Sequence, residues 1–231
     1  MKNYPVLWNT GATLQQHYLA QNPFPHVVFE DFLRHEHLRA LVDGFPPPDD
    51  RVWKTKDSDK TRNKHDIRYS QVRTKDSFFQ PAARSVIWEF NSGDFCAFLS
   101  HLTGVPYLQP DPYFIEGGFH MVGDKGFLMP HADFSHHPSG LERRVNLLLY
   151  LNDDWKEEWG GALNLYDTDG KVAHTISPVL NRCLIFNTSD TSFHGHPEPM
   201  NLPEGVWRRS LALYYYSAPR PERERKKIVW L

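Results

Sequence analysis

His131-Ala132-Asp133 sets an imidazole and a carboxylate two residues apart. On a strand, such residues point to one face, so their donor atoms can converge on a single point. A neutral imidazole and a carboxylate are the usual nitrogen and oxygen donors for a borderline divalent metal. A third donor must come from a distant strand. Thr191-Ser192-Phe193-His194-Gly195-His196 follows the strongly apolar Cys183-Leu184-Ile185-Phe186, so His194 falls at the end of that strand, where a barrel mouth would be. Two histidines and one carboxylate on one face of an octahedron leave the other positions open, the facial triad of non-haem iron(II) chemistry. Each part has a plainer reading. An HxD triplet often arises by chance, and His194 and His196 as loop residues would make only local hydrogen bonds.

A basic strand downstream adds to the pattern. In Arg208-Arg209-Ser210-Leu211-Ala212-Leu213-Tyr214-Tyr215-Tyr216, a period of two places Arg209, Leu211, Leu213 and Tyr215 on one face. A buried arginine there needs an anion, and its fork matches a carboxylate bidentately. The distal carboxylate of 2-oxoglutarate would satisfy it. Arg208 then faces the other way, as a solvated charge. In Arg144-Val145-Asn146-Leu147-Leu148-Leu149-Tyr150 the same period aligns Asn146, Leu148 and Tyr150. Tyr150 either gives its hydroxyl to the same carboxylate or is a core tyrosine bonded elsewhere.

The elements that must position these groups change character along the chain. Pro25 to Phe32 reads as a short strand entering a helix that runs from His35 to Gly44 and stops at Pro46-Pro47-Pro48. Val52 to Arg73 is polar and weakly periodic, a long loop with one short strand at most. It is long for a structureless connection, so a lid or part of a substrate wall is expected there. Between Asp76 and Leu102 the apolar residues recur at helical spacing, predicting two helices broken near Asn91-Ser92-Gly93 and ending at Gly104. From Tyr113 onward come short segments of strand composition: 113–122, 127–133, 144–152, 162–167, 172–176, 182–188 and 209–217. Turns are signalled at Gly123-Asp124-Lys125-Gly126, Gly160-Gly161 and Asp167-Thr168-Asp169-Gly170. Many short strands at near-even spacing suggest an antiparallel barrel or a jelly roll. The expected class is α+β: one domain over 1–231, with 1–112 mainly helical support plus the long loop and 113–219 the β core.

Composition narrows the function classes. With 231 residues, 40% of them hydrophobic, the chain can bury a sizeable core without staples. A formal net charge of -2 gives no reason to expect a nucleic-acid partner. Cys96 and Cys183 are too far apart for a zinc motif of CxxC type and sit in apolar runs, as buried small hydrophobes do. Neither a signal-peptide core nor an apolar run of membrane-span length appears, so a soluble cytoplasmic protein with no membrane partner is the expectation. His136, His137 and His174 read as surface histidines, and Arg220–Lys227 as a solvated charged tail.

Taken in order, HxD, YLNDDW, GGALNLY, RCLIFNTSDTSFHGHPEP and RRSLALYYY resemble the prolyl-4-hydroxylase-like branch of the 2-oxoglutarate and iron(II) dioxygenases. The likeness is strongest from Gly117 to Pro219, and PFPHVVFEDF and FLSHLTG resemble the lead-in helices of bacterial members. The resemblance implies a double-stranded β-helix and iron(II) on His131, Asp133 and His194. It implies 2-oxoglutarate held at its distal carboxylate by Arg209 and Tyr150, with Leu148 and Leu163 lining the cosubstrate pocket. It further implies oxygen as co-reactant, ascorbate as an accessory, and hydroxylation of a C–H bond with release of succinate and carbon dioxide. Two positions matter beyond the match. Some relatives have a tyrosine ten residues before the first ligand, where this chain has Met121 beside His120. Family halogenases replace the carboxylate ligand with a small residue, whereas Asp133 is present. A metal-dependent hydrolase and a non-catalytic jelly-roll binding module compete with this reading, and desaturation or epoxidation stays open within the family. The substrate, small-molecule or peptidyl, and the oligomeric state are not written in these motifs.

Overall fold

Three short apolar stripes fix the helical side of the molecule. In a computed structural model, residues 11–67, 78–134, 137–220 and 227–231 are described. Helices run over Gly11–Leu19 (α1), His35–Asp43 (α2), Pro81–Phe90 (α3) and Gly93–Thr103 (α4). On α2 the buried face is Leu38 and Leu41. On α3 it is Ala83, Val86, Ile87 and Phe90, at the spacing of one helical stripe. The α4 start is set by Ser92, whose hydroxyl accepts from the Phe95 N–H, and its end by Gly104 in the left-handed region. Gly44 closes α2, and a Cβ there would lie 2.6 Å from that of Ala83, so the glycine lets α2 and α3 touch.

The strands are His26–Phe29 (β1), Trp53–Lys56 (β2), Thr61–Ile67 (β3), Gln109–Pro110 (β4), Gly118–Ala132 (β5) and Glu142–Tyr150 (β6). After them come Leu163–Tyr166 (β7), Val172–Ile176 (β8), Cys183–Asn187 (β9), His194–His196 (β10), Arg208–Ser217 (β11) and Val229–Trp230 (β12). They form one antiparallel sheet in the order β1-β9-β6-β11-β5-β10-β7-β8, with β3 and β12 also on β5. The long strand β5 makes the sheet curl. Its first residues pair with β11, and its last with β10. The result is the half-barrel of a double-stranded β-helix. The helices cover its outer face, where Val145, Leu147, Leu149, Leu211, Leu213 and Tyr215 join Ile87, Phe90 and Leu99 in the main core. The inner face carries a smaller cluster around Tyr150, Leu163, Leu165, Leu184 and Phe186. Cys96 and Cys183 are buried free thiols, as expected of small core residues. No helix of the described residues is long and apolar enough to cross a membrane.

Several expectations need correction. The segment Val52–Arg73 is not a loop as far as it is described: β2 and β3 form a hairpin, and β3 lies on β5. Its polar alternation reflects a strand with one wet face, anchored by Trp53 against Phe45. Residues 68–73 of that stretch lie outside the described residues. The turn read at residues 123–126 is a bulge within one strand. Arg62 pairs with Phe127 and Lys64 with Val122, so β3 bridges the extra residues and β5 does not reverse. The Met200 backbone closes the bulge through hydrogen bonds with Lys125 and Gly126. His137 is buried, with Nε2 3.5 Å from Asp111 Oδ1, whereas His136 lies outside the described residues. Arg220 is not a free tail charge but pairs with the buried Glu142. Residues 221–226 lie outside the described set.

Candidate active site

β5 and β10 pair antiparallel with His131 opposite His194, so their side chains leave the sheet on the same face. The two rings lie 4.6 Å apart between centroids. Each ring is oriented through its Nδ1 by a backbone carbonyl two residues back: Met129 O at 2.9 Å for His131 and Ser192 O at 3.0 Å for His194. An Nδ1–H donating to a carbonyl leaves Nε2 with its lone pair, the form that binds metal. Both Nε2 atoms face Asp133, at 3.6 Å from Oδ1 for His131 and 3.5 Å from Oδ2 for His194. The three donor atoms lie within 4.8 Å of one another, close enough for one divalent ion to bind all of them. Burial, then the neighbouring His131, push the His194 imidazole down to about 4, so it is neutral at ordinary pH.

Asp133 is held from the opposite side. Asn146 Nδ2 donates to Oδ2 at 2.7 Å, and Arg143 Nη2 lies 3.0 Å from the same oxygen. Burial pushes the carboxyl up, but the Arg143 guanidinium and the two imidazoles outweigh it and hold Asp133 well below the usual carboxylate range. Arg143 is fully buried. Its Nε donates to Asn146 Oδ1 at 2.8 Å, and its guanidinium stacks over the Tyr214 ring at 3.4 Å. Asp133 is therefore ionised, aimed and locked before any cation arrives.

From this cluster, two facing strands lead inward. On β6 the inner residues are Asn146, Leu148 and Tyr150; opposite them on β11 are Tyr214, Ala212 and Ser210. Alternation then puts Arg208 on the inner face and Arg209 on the outer. Arg208 is 6% exposed, and its Nε donates to Gly161 O at 2.7 Å. Its guanidinium lies 5.1 Å from the centre of the Tyr150 ring. A cavity of about 80 Å³ joins the triad to this end. Leu148, Tyr150, Leu163, His120, His196 and Arg208 are among the residues lining it. No carboxylate of the described residues pairs with Arg208 there, and the buried Tyr150 hydroxyl lies beside the guanidinium without a well-aligned hydrogen bond. Burial lowers the affinity of Arg208 for its proton, a sign of how dry this end is.

The cavity thus gathers His131, Asp133, His194, Tyr150, Leu148 and Leu163. It does not gather Arg209, which is half-buried over the Phe45 ring on the helix-covered face. The apolar face of β11 packs on the helices, and the cavity lies under the other face. Arg208, read from sequence as a solvated charge, is the buried arginine. The registers would have revealed it: if Tyr150 faces inward, so must Ser210, and with it Arg208. Likewise Met121 is buried in the main core, while its neighbour His120 lines the cavity.

A wider cleft of about 620 Å³ opens on the outer side of the triad and shares His131, Asp133, Arg143 and Tyr214 with the inner cavity. Its walls include Lys56, Thr61 and Lys64 of the hairpin, Phe134, and Ile228 and Trp230 near the C-terminus. The Trp230 ring lies 5.3 Å from that of His131, because β12 pairs with β5 at that residue.

Comparison with known proteins agrees with this geometry. The model of the 2OG-Fe(II) oxygenase superfamily matches residues 117–216, the stretch that holds every inner-cavity strand except β3. The mouse prolyl 3-hydroxylase OGFOD1 is 29% identical over 217 residues, covering 88% of this chain; the chain spans 35% of that relative's length. A prolyl hydroxylase from Trichoplax adhaerens, solved with a peptide fragment of the hypoxia inducible factor oxygen degradation domain, superposes with a TM-score of 0.60. It is 17% identical, with 88% of each chain covered. A Phytophthora capsici prolyl 4-hydroxylase gives 0.61 at 18% identity, covering 94% of this chain and 66% of that one. Residues 117–216 thus match the 2OG-Fe(II) oxygenase superfamily, and the fold is the double-stranded β-helix shared with these prolyl hydroxylases.

Proposed function

We propose that this domain hydroxylates an unactivated C–H bond of a peptidyl substrate, prolyl in the first instance. In this reading His131, Asp133 and His194 hold iron(II), and Arg208 with Tyr150 holds the distal carboxylate of 2-oxoglutarate. One observation carries it: a buried guanidinium with no acidic partner faces a cavity that also reaches two imidazoles and a carboxylate. An unpaired buried charge is costly. A dicarboxylate that reaches from the metal to Arg208 answers that charge and the Tyr150 hydroxyl together. Neither a metal-dependent hydrolase nor a simple binding module has a use for this end of the cavity.

Iron(II), 2-oxoglutarate and oxygen together supply the oxidising power that protein side chains lack. The chain's own part is placement. The carbonyls of Met129 and Ser192 fix both imidazole tautomers. Arg143 and Asn146 hold Asp133 in its ionised form. Leu148 and Leu163 give the cosubstrate stem apolar walls and keep water out. The outer cleft takes the substrate. Its width, its aromatic walls Phe134, Tyr214 and Trp230, and the prolyl hydroxylases among the relatives support a peptide there. The hairpin β2–β3 supplies one wall of it.

The test is an anaerobic titration of the metal-free protein with iron(II) and 2-oxoglutarate, following the weak visible charge-transfer band of the chelated complex. The band should form in the wild type and vanish in His131→Ala. Removing the partner of a buried charge costs about 2–5 kcal/mol. Arg208→Ala should therefore raise the 2-oxoglutarate requirement roughly 30-fold or more, while Arg209→Ala leaves it near the wild-type value. No band in folded wild-type protein, or the two arginine variants exchanging places, would sink the assignment. Prolyl peptides offered with oxygen and ascorbate should then gain one oxygen atom per succinate released.

A further inference from the structure

The inner cavity contains a polar group that neither the triad nor the Arg208–Tyr150 pair uses. His196 follows His194 by two residues on β10, is 4% exposed and lines the same cavity. Its Nδ1 is buried without a hydrogen-bond partner. The cavity wall it belongs to also carries Arg208 and Tyr150. Its position is not slack. A Cβ on Gly195 would lie 2.7 Å from the Leu128 carbonyl oxygen, so β10 runs tight against β5 and both flanking imidazoles are held under the sheet.

A buried ring nitrogen with no partner destabilises the fold, and an aliphatic side chain would fill this volume without that cost. Three buried polar groups now stand around one small space: the Arg208 guanidinium, which has no acidic partner, the Tyr150 hydroxyl beside it, and His196 Nδ1. A carboxylate has two oxygens and about four lone-pair sites, enough for all three.

We infer that His196, through an Nδ1–H, is a third contact for the distal carboxylate of 2-oxoglutarate. The inference rests on the cosubstrate reading above and adds to it a donor outside the arginine and tyrosine. It makes His196 a residue that selects five-carbon dicarboxylates over 2-oxo acids lacking the second carboxylate.

The test needs no substrate and no turnover. Binding is read anaerobically on the iron(II)-loaded protein, by the charge-transfer band, for 2-oxoglutarate and for 2-oxopentanoate. The second acid chelates a metal in the same way and has a methyl group where the distal carboxylate would be. His196→Leu should weaken 2-oxoglutarate about 10- to 100-fold, the scale of a hydrogen bond to a charged group, and leave 2-oxopentanoate unchanged. His196→Asn, which keeps a donor near the Nδ1 position, should hold 2-oxoglutarate to within a few-fold of wild type. If His196→Leu fails to fold, His196→Phe keeps a ring in the space and takes its place. Equal weakening of both acids would overturn the inference, because His196 would then act through the metal or the packing. No change for either acid would overturn it too, leaving the imidazole to a buried water. A wild-type protein that forms no band with 2-oxoglutarate would instead refute the cosubstrate reading itself.

Discussion

The β6–β11 ladder has two buried faces that do different work. On the outer face, Val145, Leu147 and Leu149 meet Leu211, Leu213 and Tyr215 under the helices, and the Tyr215 hydroxyl donates to Phe90 O at 3.0 Å. On the inner face, Asn146, Leu148 and Tyr150 meet Ser210, Ala212 and Tyr214, with Arg208 one step further. The outer face satisfies itself. The inner face leaves a guanidinium without an acid, a hydroxyl without a well-aligned hydrogen bond and a carboxylate between two imidazoles. Burial alone does not separate the two, because both are largely removed from water. Unmet polar chemistry does.

The contrast predicts that substitutions on the two faces fail differently, and the largest effect belongs to Arg143. Removing one partner of a buried ion pair costs about 3–5 kcal/mol, because the other charge stays behind. Metal-free Arg143→Met should therefore lose stability on that scale, seen as a lower urea midpoint. Added Mn(II) should recover much of the loss, since a bound cation replaces the guanidinium beside Asp133. Loss without recovery would mean that Arg143 matters for packing on Tyr214 and Phe134 rather than for the carboxylate. On the outer face, Leu213→Ala should cost about 2–5 kcal/mol through its cavity, and Mn(II) should recover no more of it than it adds to the wild type. A change in metal affinity of the folded Leu213→Ala protein would break the separation between the faces.

The same contrast explains what was legible beforehand. The triad was readable because each member has a chemical signature and two of them sit two apart on a strand. Helices α3 and α4 were readable from their stripes and from Ser92 and Gly104. The sequence pattern puts Arg209 on the cavity side, whereas Arg208 lines the cavity, and the reason is physical. A strand buried on both faces gives no hydropathy cue to the direction of the cavity, and the more apolar face of β11 belongs to the helices. Only pairing with β6 fixes the side, and pairing is long-range information. His196, Arg143 and His120 were hidden for a related reason. Which side chains share the cavity is decided only by the assembled sheet. The hairpin β2–β3 is hard to read because the strand that holds it in the sheet, β5, is far away in sequence, while its own composition is that of a wet loop.

The smallest predicted effect separates the faces most sharply, because its two consequences have opposite signs. Tyr150→Phe removes a buried hydroxyl that makes no well-aligned hydrogen bond in the protein alone. A desolvated, unpartnered polar group costs about 1–3 kcal/mol, so the metal-free variant should match or exceed the wild type in stability, by up to about 1 kcal/mol once the lost contacts of the oxygen are allowed for. If the hydroxyl serves the cosubstrate, the same change should weaken 2-oxoglutarate roughly 10-fold or more, the scale of a hydrogen bond to a charged acceptor. Tyr215→Phe on the outer face removes a hydroxyl that is already satisfied by Phe90 O. It should lower stability by about 1 kcal/mol and leave 2-oxoglutarate binding unchanged. Urea midpoints and the anaerobic titration read both pairs of numbers. If Tyr150→Phe and Tyr215→Phe moved stability in the same direction and binding not at all, the inner face would be a second core rather than a site held open for a ligand.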